Sequence, residues 1–175
     1  MAYDLERFCQ DTSAALKSGK PLQASLDEIA ARLGDLLRNP DFVASAFNED
    51  TPPGKEELYH DPELDFYVQA HMQKGGKNGT PHSHGASWAI YGNATALTRM
   101  TEWRRVNPEA EEAAVLEPTE TYELHAGDTR TYGPGVIHST AHPEKAWVIR
   151  VCGTDLDAIP RYKFRKSRDR ILEKA

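Results

Sequence analysis

The sequence predicts a mainly β protein, an antiparallel sandwich or barrel with an N-terminal helical segment. Residues 1 to about 47 carry apolar side chains at helical spacing, whereas the later chain has short apolar runs separated by Gly, Pro and Asn. A turn-forming Thr-Pro-Pro-Gly stretch at residues 51–54 lies between the two regions. The chain has 175 residues, enough for a single domain with its own hydrophobic core.

Two helices are predicted in the N-terminal segment. Apolar side chains recur at helical spacing through residues 5–16 and again through residues 26–37, and the Gly-Lys-Pro at residues 19–21 separates the two stretches. The pattern Ser-Leu-Asp-Glu at residues 25–28 is a capping box, which predicts that the second helix begins there. This helix is expected to end near Asn39-Pro40, because a residue that precedes proline avoids the helical conformation.

Seven strands are predicted in the later part of the chain. They cover residues 65–73, 87–91, 96–106, 119–125, 129–132, 136–141 and 146–151. The polar residues 107–118 are expected to form a surface loop or a helical turn. The predicted organisation is therefore a helical segment at 1–50, a β barrel at 51–160 and a basic tail or helix at 161–175.

The charge distribution excludes several classes of protein. A net charge of −6 argues against a nucleic-acid binder, and the absence of an apolar run near 18 residues argues against a membrane span. Two cysteines exclude a disulfide framework, and the polar, acidic start is unlike a signal peptide, so we expect a cytoplasmic protein. The basic segment 161–175 is expected to pack on the acidic body, to bind an anionic partner or to contact a second subunit, as in a homodimer.

Seven histidines stand out in this composition, and three of them lie in informative patterns. His82 and His84 form a His-x-His pattern, and on a strand both side chains would lie on the same face, where they can converge on one ion. Downstream, a Gly-Asp turn, a short strand and a Gly-Pro-Gly turn precede His138. This pattern predicts a hairpin with His138 near its far end, as the source of a third ligand.

Together, the two patterns resemble the cupin superfamily. Residues 76–84 resemble the first cupin motif, residues 127–138 resemble the second, and the resemblance covers roughly residues 55–155. It implies a small double-stranded β-helix barrel that binds a metal ion at its mouth. The metal ligands implied by the resemblance are His82, His84 and His138.

The position of the usual fourth cupin ligand is occupied by other residue types. The common pattern has a Glu four or five residues after the second His, where this chain has Trp88 and Ala89. The resemblance therefore implies a three-histidine site, similar to that of cysteine dioxygenase and related thiol dioxygenases, which also have a helical N-terminal segment. Fe(II) is the expected metal, because three neutral imidazoles leave positions open for substrate and O2, and Zn, Ni or Mn are the alternatives.

Two other features depart from the thiol dioxygenases. Their Ser-x-His-x-Tyr triad aligns with Val148, Arg150 and Cys152, and the cysteine of their Cys–Tyr crosslink aligns with Ala89. The early strand also lacks the arginine that anchors the carboxylate of cysteine in that family. The resemblance thus implies the scaffold and the metal, whereas cysteine is not the expected substrate.

Several further side chains are candidates for the substrate site. Alternation along residues 65–73 places Tyr67, Gln69 and His71 on a polar face directed into the barrel, where His71 is expected to be a catalytic or substrate contact or a hydrogen-bonded structural histidine. Tyr91 is also expected to point inward. Its phenol would replace the missing triad tyrosine as a hydrogen-bond donor, with simple barrel filling as the alternative.

Four later residues complete the candidate set. Arg150 lies among apolar residues and is expected either to bind a substrate carboxylate or to pair with an acid such as Glu102. His142 is a candidate for the rim of the site. Trp88 and Cys152 are candidates for substrate contact, with core packing as the alternative for both.

The sequence thus predicts a non-haem Fe(II) dioxygenase, resembling the thiol dioxygenases, that acts on a small acidic or chelating molecule together with O2. Three alternatives stay open. They are a carbon–carbon-cleaving dioxygenase of the diketone type, a non-redox metal lyase, isomerase or hydrolase, and a sensor that binds a metal or a small ligand.

Overall fold

The computed structural model describes residues 3–48, 50, 52–109, 111, 113–160, 162–167 and 170–172. Three helices come first: α1 (Leu5–Lys17), α2 (Leu22–Leu37) and α3 (Pro40–Ala46). The strands that follow are β1 (Gly54–His60), β2 (Tyr67–Gln73), β3 (Lys77–Asn78), β4 (Ala89–Asn93), β5 (Thr98–Arg105), β6 (Leu116–Leu124), β7 (Thr129–Tyr132), β8 (Ile137–His142), β9 (Ala146–Cys152), β10 (Arg165–Ser167) and β11 (Arg170–Leu172).

The start of α2 differs from the prediction. The helix begins at Leu22, with Pro21 at its N-cap, because proline fixes a suitable φ and brings no N–H that would need a partner. Ser25 is therefore inside the helix and buried, and its hydroxyl donates a 3.0 Å hydrogen bond to the carbonyl of Ala15 in α1. The capping-box interpretation was wrong, since this serine joins two helices. The end of α2 at Leu37, just before Asn39-Pro40, is as predicted.

The strands form two main antiparallel sheets. The larger sheet has the order β1-β2-β9-β4-β7 and the smaller one has the order β3-β8-β5-β6. From β2 to β9 the chain passes back and forth between them, with β3, β5, β6 and β8 in the smaller sheet and the strands between these in the larger. This winding is that of a double-stranded β-helix. It confirms the predicted fold class, a mainly β barrel preceded by helices.

The predicted hairpin before His138 was wrong in one respect. β7 pairs with β4 in the larger sheet, whereas β8 pairs with β5 and β3 in the smaller one. The turn at residues 133–135 is therefore a corner between the sheets. Gly135 has a φ of +76° there, a conformation that glycine adopts without steric cost.

The helices cover the outer face of the larger sheet. Phe66, Val68, Ala70 and Met72 pack into the same buried cluster as the apolar side chains of α1 and α2, as the alternation of residues 65–73 predicts. Helix α2 lies so close to β4 that a Cβ added at Gly92 would approach methyl groups of Leu37 at 2.6 Å and Leu33 at 2.8 Å. The larger sheet is thereby fixed from outside, and the polar face of β2 is directed into the barrel.

Other elements were not foreseen from the sequence. β1 is mostly exposed and charged and pairs as an edge strand with β2, and β6 begins at Leu116, within the predicted loop 107–118. At the C-terminus, β10 and β11 pair antiparallel where a tail or helix was expected. None of the helices within the described ranges has the length and apolar composition needed to cross a membrane.

Candidate metal centre

Three histidines come together between the two sheets. Each of His82, His84 and His138 offers one ring nitrogen, and these three atoms all lie within 4.8 Å of one another. The ring centroids are 5.5 Å apart for the first pair and 4.6 and 4.7 Å from each of these rings to that of His138. This is the set of ligands that the resemblance implies.

Backbone hydrogen bonds hold two of these residues side by side. The N–H of His82 donates to the carbonyl of His138 and the N–H of His138 donates to that of His82, both at 2.9 Å. His138 lies on β8, a central strand of the smaller sheet. His82 and His84 lie in the connection between β3 and β4, where His82 forms isolated antiparallel bridges to His138 and to Lys163, so only His82 of the expected His-x-His strand is paired as in a sheet. The side chains converge all the same.

The tautomer of His82 is fixed by its surroundings. Its Nδ1 lies 3.0 Å from the carbonyl oxygen of Thr80, which can only accept, so Nδ1 carries the proton and Nε2 carries the lone pair. A backbone carbonyl that orients a histidine in this way is the usual outer support of a metal ligand. His82 is therefore prepared to ligate through Nε2.

His138 is fully buried and is held as a neutral imidazole. Burial lowers the pKa of its ring to about 3, with the nearby His82 adding to the effect. Neither Nδ1 nor Nε2 of this ring has a hydrogen-bond partner among the described residues, which is costly for buried polar atoms unless something else binds them. Tyr132 stacks on this ring, with centroids 4.1 Å apart and planes 21° apart. A neutral imidazole whose orientation is fixed by packing in this way has a free lone pair and can bind a metal ion.

This donor set fits a divalent transition metal. Three imidazole nitrogens suit iron, zinc, nickel or copper, and the described residues contribute no carboxylate or thiolate to the cluster. The positions where a cupin glutamate would stand, Trp88 and Ala89, are buried and apolar. His82, His84 and His138 would hold the ion and leave its remaining coordination positions open.

A cavity of about 410 Å³ lies beside His82. Its volume is within the range of small-molecule sites, roughly 300–1,000 Å³. Both sheets contribute to its wall, and besides His82 four of the predicted catalytic or substrate contacts line it, namely His71, Tyr91, His142 and Arg150. The structure thus brings these candidates to one place, next to the candidate metal ligands.

Arg150 has an incomplete set of partners. One of its terminal nitrogens donates a 2.7 Å hydrogen bond to Oε1 of the buried Gln69, and its Nε is buried without a partner in the described part of the chain. The acid considered for it, Glu102, pairs with Arg130 at 2.8 Å instead. No carboxylate of a described residue lies within ion-pair distance of Arg150. The guanidinium can therefore donate hydrogen bonds to an anion bound in the cavity.

The other lining residues differ in their surroundings. The Tyr91 hydroxyl lies 3.3 Å from Nε2 of His84, directly at the metal centre. Burial, with a contribution from the Arg150 charge, lowers the pKa of His71 to about 3, and its Nε2 is buried with no described partner. His142 is buried at 4% exposure, with Nδ1 3.2 Å from the hydroxyl of Thr98, so it lies inside the barrel and not at the rim.

Four predicted contacts lie outside the lining of this cavity. One of them, the buried Gln69, contacts it only through its hydrogen bond to Arg150, and the other three pack elsewhere. Tyr67 stacks on His60 with ring centroids 4.1 Å apart, and Cys152 is a buried free thiol packed with Ala89. The indole of Trp88 lies over the backbone of Gly153, in the space that a side chain there would need. Each of these three side chains packs against other residues of the protein. The substrate-contact role predicted for each has no support in this arrangement.

Three residues of the site were not among the candidates from the sequence. Tyr132 stacks on His138, and the exposed Lys77 and Lys163 line the cavity. No local pattern marks Tyr132, because its position depends on the corner between the sheets. The basic character of residues 161–175 was the one available signal for Lys163.

The chain matches no protein-family model and no curated protein. Among solved structures, similarity is found to a cupin superfamily protein from Desulfitobacterium hafniense, with a TM-score of 0.46, 8% identity and coverage of 65% of this chain and 87% of that one. KdgF from a Halomonas species has a TM-score of 0.46 and 16% identity, over 65% and 96% of the two chains. A protein with a double-stranded β-helix domain from Klebsiella pneumoniae has a TM-score of 0.44 and 16% identity, over 75% and 95%. Similarity at this level transfers no activity from any of these proteins to this chain.

Proposed function

We propose that this protein is an Fe(II)-dependent dioxygenase acting on a small acidic molecule that can chelate the metal, with a chemistry related to that of the thiol dioxygenases. The observation that carries the proposal is the combination of an all-histidine cluster with an adjoining cavity that contains Arg150 and no described acid. Neutral ligands leave a divalent ion its full charge and several open positions. An anionic substrate and O2 can then bind at neighbouring positions.

The bound ion would supply a Lewis acid and a template that brings substrate and O2 together. The chain supplies orientation. Arg150 binds the substrate carboxylate through its paired N–H groups, and Gln69 keeps the guanidinium directed at the cavity. Tyr91, whose hydroxyl is next to His84, donates a hydrogen bond to the reacting end of the substrate.

A second candidate function is supported by His71. In a non-redox lyase or isomerase, a neutral histidine in the cavity would remove a proton from the substrate. Burial is the main cause of the low pKa of His71, and the Arg150 charge adds to it, so a carboxylate bound to Arg150 would offset only the smaller contribution.

The metal and the reaction class can be tested together. We expect protein purified under nitrogen and loaded with Fe(II) to give an iron–nitrosyl EPR signal with nitric oxide, and this signal should change when an acidic substrate binds. Oxygen uptake should accompany turnover. Stoichiometric zinc after native purification, with no oxygen uptake on any thiol or diketone acid, would contradict the dioxygenase and favour the non-redox alternative.

The ligand set is tested by substitution. His82→Ala, His84→Ala and His138→Ala should each remove most of the bound metal, measured by elemental analysis, while the far-UV circular dichroism stays unchanged because none of the three histidines belongs to the hydrophobic cluster between the helices and the larger sheet. His125→Ala is the matched control, since this side chain is 66% exposed and lies outside the cluster. Metal content that survives all three ligand substitutions would refute the assignment.

A further inference from the structure

The cavity beside the metal centre has an unusual charge composition for this protein. Its lining contains three cations, Lys77, Arg150 and Lys163, and no aspartate or glutamate among the described residues. The histidines in the lining are His71, His82 and His142. The chain as a whole has six more acidic than basic residues. Three cations facing one small space repel one another, and this repulsion is relieved when an anion enters.

The cations occupy two levels of the cavity. Arg150 is half-buried on β9, with Gln69 as its partner, whereas Lys77 and Lys163 are exposed and mark the mouth. In the described part of the chain, neither lysine forms an ion pair. One anionic group bound at Arg150 would leave both lysines at the mouth without a counter-charge.

The position of Lys163 is built into the fold. Residues 162–164, which we call the strap, run antiparallel to the segment that carries His82. The N–H of Ser83 donates to the carbonyl of Tyr162 at 2.9 Å, and the N–H of Phe164 donates to the carbonyl of Pro81 at 2.8 Å. These bonds fix the strap at the metal-binding segment itself.

Alternation along the strap then decides where its side chains go. Phe164 is buried in a cluster with Ala114 and Leu116, which anchors the strap to the smaller sheet. The adjacent Lys163 points the other way and lines the cavity. The backbone of Lys163 is thus fixed at the mouth of the cavity, because it pairs with the His82 segment and because the next residue, Phe164, is buried.

We propose that the substrate carries two separated anionic groups, one bound by Arg150 inside the cavity and the other by Lys163 and Lys77 at its mouth. This inference rests on the proposed function, and it narrows the acidic substrate to a dianion. The second group is a carboxylate or a phosphate-type group, since lysine binds either as a point charge. A substrate with one carboxylate would use only the inner half of this arrangement.

The test compares anions of matched length by isothermal titration calorimetry on the zinc-loaded protein, so no turnover is needed. Succinate and 3-phosphonopropionate are the probes with two anionic groups, called dianions here although the phosphonate can lose a second proton near neutral pH, and succinamate, in which an amide replaces one carboxylate, is the monoanionic probe. We expect both dianions to bind more tightly than succinamate, with the tighter of the two identifying the outer group. Their affinity should also fall more steeply with salt.

Variants locate the outer group. Lys163→Gln and Lys77→Gln should each weaken dianion binding by roughly three- to tenfold and leave succinamate binding within about twofold of wild type. Lys74→Gln is the matched control, because it makes the same charge change at an exposed position outside the lining. It should leave all three affinities within about twofold.

The outcomes separate the two proposals. Equal affinities for succinate and succinamate, unaffected by Lys163→Gln and Lys77→Gln, would overturn the dianion and leave an acid-binding metal site intact. If no acid binds, or if binding is insensitive to Arg150→Met, the acidic substrate of the proposed function fails and the dianion fails with it. Equal losses in Lys74→Gln and Lys163→Gln would show a general charge effect and would also overturn the dianion.

Discussion

Replacing Arg150 by methionine should abolish the binding of acidic ligands and leave the free energy of unfolding of the protein nearly unchanged. The Arg150 Nε is buried without a described partner, a defect that costs about 1–3 kcal/mol, and methionine keeps much of the aliphatic bulk without the charge. The substitution also leaves Oε1 of Gln69 without its 2.7 Å donor, which costs a similar amount. The single variant should therefore unfold within about 1 kcal/mol of wild type, although it no longer binds acids.

The double variant Arg150→Met/Gln69→Leu removes both unsatisfied groups. We expect it to be more stable than wild type by about 2 kcal/mol, which corresponds to a rise in Tm of about 4–8 °C for a chain of this size. Urea and thermal unfolding followed by circular dichroism measure this change. Arg99→Met is the control, because its ion pair with Glu123 is exposed and contributes at most about 1 kcal/mol.

The opposite result would refute this reasoning. If both Arg150 variants lose more than about 2 kcal/mol of stability, the guanidinium is a structural part of the barrel and its place in the cavity wall has no bearing on ligands. If the variants keep wild-type stability and still bind acids with unchanged affinity, Arg150 is neither an anchor nor a support.

Two further predictions concern the fold around the site. Gly92→Ala should lower the free energy of unfolding by about 1–3 kcal/mol in urea denaturation, because its Cβ would meet methyl groups of the buried Leu37 at 2.6 Å and Leu33 at 2.8 Å. A combined Gly92→Ala/Leu37→Ala variant that shows no coupling between the two changes would contradict this. Burial lowers the pKa of His71 to about 3 and that of His142 to about 4 in the folded protein. Between these values and the ordinary histidine pKa of about 6.5, the unfolded chain binds more protons than the folded one. The free energy of unfolding should therefore fall by about 2 kcal/mol per histidine as the pH drops to 5. His142→Gln should make the pH dependence of unfolding shallower, and an unchanged slope would place the ring in water.

The candidate ligands could be predicted because their signals are local. His82 and His84 are two residues apart, and His138 follows turn residues at a recognisable spacing. The alternation along β2 likewise predicts which of its side chains meet the helices and which face the barrel. Patterns of this kind depend on neighbours in sequence, so the sequence displays them.

The features that could not be predicted depend on partners distant in sequence. A glycine-rich turn between two short strands is compatible with a hairpin and with a corner between sheets, and only the pairing of β7 with β4 decides between them. Ser25 has the local pattern of a helix cap, but the carbonyl of Ala15 in the packed α1 competes for its hydroxyl. Lys163 joins the cavity because the strap pairs with the segment of His82, far away along the chain.

The backbone bridge between His82 and His138 has a consequence for folding kinetics. It joins segments more than 50 residues apart, and contacts of such long range form late because the intervening loop must close first. An ion that needs both rings cannot assist the early, local steps. Metal added to the folding reaction should therefore leave the refolding rate unchanged and act almost wholly by slowing unfolding.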